Sequence, residues 1–109
     1  MSLAYKVLGQ NSPSATTNTT LYTCPAQKQA VVSSIVVVNR NASAGTFRIA
    51  IRPDGESIAN KHYIAFDETL NGNTRIALTL GVTIDAGDIV TIYASSTDFS
   101  FNAFGVEIQ

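Results

Sequence analysis

The chain has 109 residues, of which 45% are hydrophobic and only 14% charged, with a formal net charge of −1. That length supports one hydrophobic core and excludes two useful ones, and the apolar share excludes a disordered chain. A near-neutral balance gives no general attraction for nucleic acid or an anionic membrane. A single Cys excludes an internal disulfide, and with a single His it argues against a zinc site.

Period-two, β-branched patterning predicts strands separated by turn signals. The first spans Leu3–Leu8, and the polar run Gly9–Ser14 after it is expected to be a loop in which nothing packs. Thr19–Cys24 reads as a short strand stopped by Pro25, which lacks the N–H a ladder needs. Gln29–Asn39 is the most β-rich stretch, apolar on both faces in its middle, and is therefore expected to be central or covered by a second surface. Thr46–Arg52 alternates, with Phe47, Ile49 and Ile51 on one face and Arg48, Ala50 and Arg52 on the other. Pro53-Asp54-Gly55 has turn chemistry, and Ile58–Lys61 reads either as one short helical turn or as a loop. His62–Asp67 is expected as a strand with Tyr63, Ala65 and Asp67 opposite Ile64 and Phe66. The Asn71-Gly72 turn leads to Arg75–Leu80, with Ile76, Leu78 and Leu80 on its buried face. Asp85-Ala86-Gly87-Asp88 turns the chain into Ile89–Ser95. In Phe99–Ile108 the aromatic face changes between Phe101 and Phe104, which suggests a bulge near Asn102.

Seven or eight short strands in one domain over residues 1–109 predict an all-β fold, an antiparallel two-sheet β-sandwich of jelly-roll type, with a closed barrel as the alternative. Residues 1–13 are set apart as an N-terminal segment available to contact a partner. No basic leader precedes a long apolar run near Met1, so synthesis without a secretory signal is expected. The longest apolar run, Ile35–Val38, has four residues and is too short to span a bilayer. Asn18-Thr19-Thr20 and Asn41-Ala42-Ser43 fit the glycosylation pattern, as chance matches in an Asn/Thr-rich chain.

Few residues carry chemistry. His62 stands at a strand start, where an exposed or capping role is expected, and Cys24 is expected to be a small buried hydrophobe. A Cys24–His62 dyad is the weaker alternative. Asp67 and Glu68 are neighbours in a strand and point apart, while Asp85 and Asp88 fit turn chemistry better than a calcium loop. Arg48, Arg52 and Arg75 are expected on a common outer surface, solvated or facing a protein. No catalytic, cofactor-binding or metal-ligating residue is assigned, no cofactor is expected, and the chain reads as a non-enzyme.

What remains is surface. The 30 Ser, Thr and Asn residues fall on strand faces as well as in turns, and several strands carry small or apolar residues on both faces. A lone sandwich needs one apolar face per sheet, so the surplus points to cover by another chain.

The framework Leu3-Ala4-Tyr5-Lys6-Val7-Leu8-Gly9-Gln10, Thr20–Pro25, Val31–Val37, Phe47–Ala50, Asn60–Ala65, Leu78–Gly81, Tyr93–Ser95 and Ser100–Gly105 resembles the small virion structural proteins of tailed bacteriophages, particularly those of cyanobacterial phages. The resemblance covers nearly the whole chain and carries no site motif. It implies a capsid cement or decoration protein on the outer surface of the head, bound to the major capsid protein and forming a homotrimer. A tail, neck or fibre component contacting the host surface is the alternative. A glycan-binding site on such a component would call for exposed aromatics over a polar pocket, and Tyr5, Tyr22, Tyr63 and Tyr93 are the only candidates, most of them explained as strand residues with a hydroxyl at the sheet margin.

Overall fold

The computed structural model describes residues Met1–Gln109. Eight strands form in chain order: β1 (Leu3–Asn11), β2 (Thr19–Thr23), β3 (Gln29–Asn39), β4 (Gly45–Arg52), β5 (Tyr63–Leu70), β6 (Thr74–Asp85), β7 (Ile89–Ala94) and β8 (Phe99–Ile108). They make two four-stranded antiparallel sheets, β1-β8-β3-β6 and β2-β7-β4-β5. The pairs β1–β8, β2–β7, β3–β6 and β4–β5 nest like the arms of one long hairpin rolled up on itself. That winding is the jelly-roll connectivity, and the molecule is the two-sheet sandwich expected from the strand pattern.

Alternating apolar positions from both sheets meet in the middle. Phe47, Ile49, Val90, Ile92 and Ala94 of the second sheet pack with Val32, Ile35, Val37, Phe99, Phe101 and Ala103 of the first, all essentially without solvent contact. Phe47 sits edge-on to Phe101 at 6.2 Å between ring centroids, and tilted to Phe99 at 6.4 Å. Asn39 is fully buried where β3 leaves the sheet. Its amide donates to the carbonyls of Ser43 (3.0 Å) and Leu70 (3.1 Å), and its Oδ1 accepts from Asn41 N–H (3.0 Å). Asn39→Ala leaves those groups unpaired in the interior and is expected to cost about 2 kcal/mol in denaturant unfolding, with Asn39→Asp also destabilising because it trades the donor amide for an acceptor.

Four expectations need correction. The run after Leu8 is not a free loop: Gly9–Asn11 continue β1 and Pro13 is buried. The Ser12 hydroxyl, which donates to Phe99 O (2.8 Å) and accepts from Arg40 Nη2 (3.0 Å), fastens this stretch down. β6 does not stop at Leu80, because Gly81, at φ +62°, absorbs an irregularity and lets Val82 and Ile84 resume the inward alternation. The bulge expected near Asn102 lies in the neighbours of β8. The ladder skips Leu8 in β1 and Ser33 in β3, while β8 runs on evenly with Phe104 outward. Both irregularities lie opposite Phe104, next to Gly105, where a Cβ would collide with the Val31 carbonyl. Finally, β5 does not alternate: it carries extra residues on either side of the Ala65–Ile49 pair, so its faces change along its length.

Candidate interaction surfaces

The outer faces of the two sheets differ in chemistry. On the first, the cross-strand pairs Leu3–Ile108, Tyr5–Val106 and Val7–Phe104 all point away from the core, and Val31 of β3 continues the row beside Val106. Leu3, Tyr5 and Val7 are 47%, 77% and 45% exposed and Phe104 is exposed too, while Val31, Val106 and Ile108 are half-buried, which makes an apolar stripe across β1, β8 and β3 that is most open along β1. Scattered exposed apolar residues are ordinary on a monomer, but a contiguous stripe on neighbouring strands marks a surface made to be covered. Three of its seven residues, Leu3, Tyr5 and Val7, belong to the N-terminal segment, which is held in the sheet along β1 and is no detached arm.

Directly behind this stripe sits the one buried acid. Glu107 lies on the inner side of β8 with its side chain 5% exposed. Tyr22 O–H donates to its Oε2 at 2.6 Å, and Lys6 Nζ and Lys28 Nζ lie 3.2 and 3.5 Å from Oε1. The Tyr22 bond above all, then the two ammonium groups, hold the Glu107 carboxyl below the usual range against the opposing effect of burial. Burial, and then the carboxylate it serves, push the Tyr22 phenol strongly up. No strand pattern announces this residue, since an acid at an inward position reads as a break in alternation.

The outer face of the second sheet carries an aromatic row. The Arg48 guanidinium lies between two rings, 4.3 Å from the centroid of Phe66 and 4.2 Å from that of Tyr93. Asp67 grips it bidentately, with Nε donating to Oδ1 at 2.6 Å and Nη2 to Oδ2 at 3.2 Å. This pairing holds Asp67 below, and Arg48 above, their ordinary titration ranges. Tyr63 meets Phe66 edge-on at 4.8 Å, and with Asn60 the two rings line a shallow open depression of about 350 Å³. Strict alternation sets Tyr63 and Phe66 on opposite faces. The irregularities in β5, with Asp67 in the left-handed region at φ +48°, bring them together. Asp is among the few residues that accept this conformation without heavy strain.

The remaining candidates are dispersed. Arg48 and Arg52 share the outer side of β4, but Arg75 lies on β6 in the other sheet, so no common arginine surface forms. Cys24 is buried, its thiol 3.5 Å from Lys28 O and pushed up chiefly by desolvation. His62 is buried rather than exposed. Its Nδ1 accepts from Ala59 N–H at 3.0 Å, which places the proton of the neutral ring on Nε2, facing Glu56 Oε1 at 3.2 Å. It thus caps the turn before β5, and no hydrogen bond joins it to Cys24. Asp88 serves turns, accepting from Asp54 N–H (2.9 Å) and Asp85 N–H (2.8 Å). Asp67 and Glu68 share no hydrogen bond, the former being engaged by Arg48. No three His, Cys, Asp or Glu side chains converge as metal ligands. A scan against protein-family models, and searches of curated proteins and of solved structures, found no match to this chain.

Proposed function

We propose that this chain is a non-enzymatic virion structural protein, a capsid cement module that docks on the outer surface of a bacteriophage head through the apolar stripe of Leu3, Tyr5, Val7, Val31, Phe104, Val106 and Ile108. The observation that carries the reading is that stripe: three adjacent strands, the outermost of them the sheet edge β1, present apolar side chains outward. The resemblance to small phage virion proteins supplies the setting. On this reading the partner is the major capsid protein, and a homotrimer presents three stripes to the lattice. Contacts that are modest singly then become strong together, because the second and third engagements are intramolecular. The outward edge of β1 adds a row of backbone groups that a capsid strand can pair, which also protects the edge from aggregation.

Stoichiometry tests the reading. Several hundred copies per virion, located on heads, are expected, and a copy number of a few tens on tails overturns it in favour of a tail, neck or fibre role. At the level of the residues, Val7→Asp puts a charge in the middle of the stripe while leaving the core untouched. It is expected to abolish decoration of heads by the purified protein, with the circular dichroism spectrum unchanged. Full decoration by that variant sinks the docking face. Sedimentation of the isolated chain checks the trimer, which a monomer at high concentration opposes.

A further inference from the structure

We propose that the outer face of the second sheet is a binding site for neutral hexopyranosides, built from Tyr93, Arg48, Phe66, Tyr63 and Asn60. A pyranose offers an apolar face of C–H groups ringed by hydroxyls, so a site for it needs an exposed ring and a fringe of polar groups with unused hydrogen-bonding capacity. Both are present. Phe66 is 54% exposed although Arg48 packs on it at 4.3 Å, so much of the ring faces solvent beside the depression shared with Tyr63 and Asn60. The hydroxyls of Tyr63 and Tyr93, the Asn60 amide and Arg48 Nη1 have no partner in the chain, while Nε and Nη2 of Arg48 are committed to Asp67.

Three features single out this ligand class. The Arg48–Asp67 pair is locally neutral, so an acidic sugar gains no net attraction and a neutral one loses none. The row is held in place before binding: Arg48 is clamped between two rings and by two hydrogen bonds, which lowers the ordering cost of a small ligand. The stripe on the first sheet has exposed rings but no comparable set of idle amide and guanidinium groups around them. Its chemistry suits a dry protein contact, whereas the second face suits a hydroxyl-rich ligand. The two sites lie on different sheets, so this inference stands or falls independently of the docking face.

Saturation-transfer difference NMR on the full chain tests it, with methyl β-glucoside, methyl β-galactoside, methyl α-mannoside and glucuronate as probes. At least one neutral glycoside is expected to show transfer, strongest at the C–H protons of one ring face. Phe66→Ala removes an exposed ring and no core contact, and is expected to weaken binding about tenfold or more with the circular dichroism spectrum of the folded chain retained. Tyr93→Phe keeps the ring, removes one idle hydroxyl and should weaken binding less. Tyr5→Ser, on the opposite sheet, should leave it unaltered. The proposal is overturned by absence of transfer from all three neutral glycosides, by binding that survives Phe66→Ala, by loss on Tyr5→Ser, or by preference for glucuronate.

Discussion

Gly105→Ala is expected to lower the unfolding free energy by about 3 kcal/mol, a large part of what a domain of this size possesses. Gly105 lies in β8, paired with Lys6 of β1 on one side and Val32 of β3 on the other. A methyl group there meets the Val31 carbonyl, with the Leu8 Cδ1 atom a further 3.0 Å contact. Side chains can swing away from an intruding methyl, but a carbonyl in a central ladder can move only by giving up its strand pairing. The cost therefore appears as lost β3–β8 hydrogen bonds or as strain in both strands, and not as a local rotamer change. Equilibrium denaturation measures it, and a loss under about 0.5 kcal/mol would show that the sheet yields at this point. Gly9→Ala is a parallel case, because its Cβ meets the Leu21 carbonyl across the two sheets.

That position also marks how far strand patterning reaches. β3 and β8 are legible to the residue, since long runs of Val, Ile and Phe at alternating positions have few other ways to bury themselves. β6 is legible only to Leu80, because a lone Gly inside a strand pattern reads equally as an end or as a bulge. The apolar surplus on both strand faces shows in the sequence at Val36/Val37, Ile49/Ala50, Tyr93/Ala94 and Ala103/Phe104, on β3, β4, β7 and β8 and not on β1, and the stripe needs the register that aligns Tyr5 with Val106 and Val7 with Phe104. The aromatic row is hidden more deeply. It depends on two irregularities in β5 and on one left-handed Asp, and nothing near Tyr63–Asp67 signals them, since there is no Gly or Pro in that segment. Tertiary pairing with β4 decides the faces of β5, so a local period cannot find the Arg48–Phe66 contact.

Glu107→Ala is expected to cost about 3 kcal/mol, and Glu107→Gln about 1 kcal/mol. The difference follows from what each leaves behind. Lys6 and Lys28 are 48% and 32% exposed and can return their ammonium groups to water, so the loss of those ion pairs is discounted heavily. Tyr22 is 7% exposed and cannot, so truncation to Ala strands a buried hydroxyl and opens a cavity, while Gln still accepts from it. The pH dependence separates the charge from the shape. In the folded chain the carboxyl titrates below its ordinary value of 4.5, first because Tyr22 donates to it and then because of Lys6 and Lys28. Below that value the unfolded chain takes up the proton first, so stability from Glu107 is fully present above about pH 5 and drains away as pH falls through the depressed folded value. Asp67, also depressed by its bond to Arg48, drains in the same direction, so the informative quantity is the difference between the parent and Glu107→Gln. That difference should be constant near neutrality and shrink toward zero on acidification, as the parent loses what the variant never had. A gap that stays constant down to pH 2 would mean that the carboxylate charge contributes nothing. The consequence extends to the outer surface, because the Lys6–Glu107 ion pair ties β1 to β8 diagonally across the Tyr5–Val106 pair. Acid that loosens this tie is expected to fray the β1 edge first, so amide exchange at Leu3–Val7 should accelerate before the core around Phe101 opens.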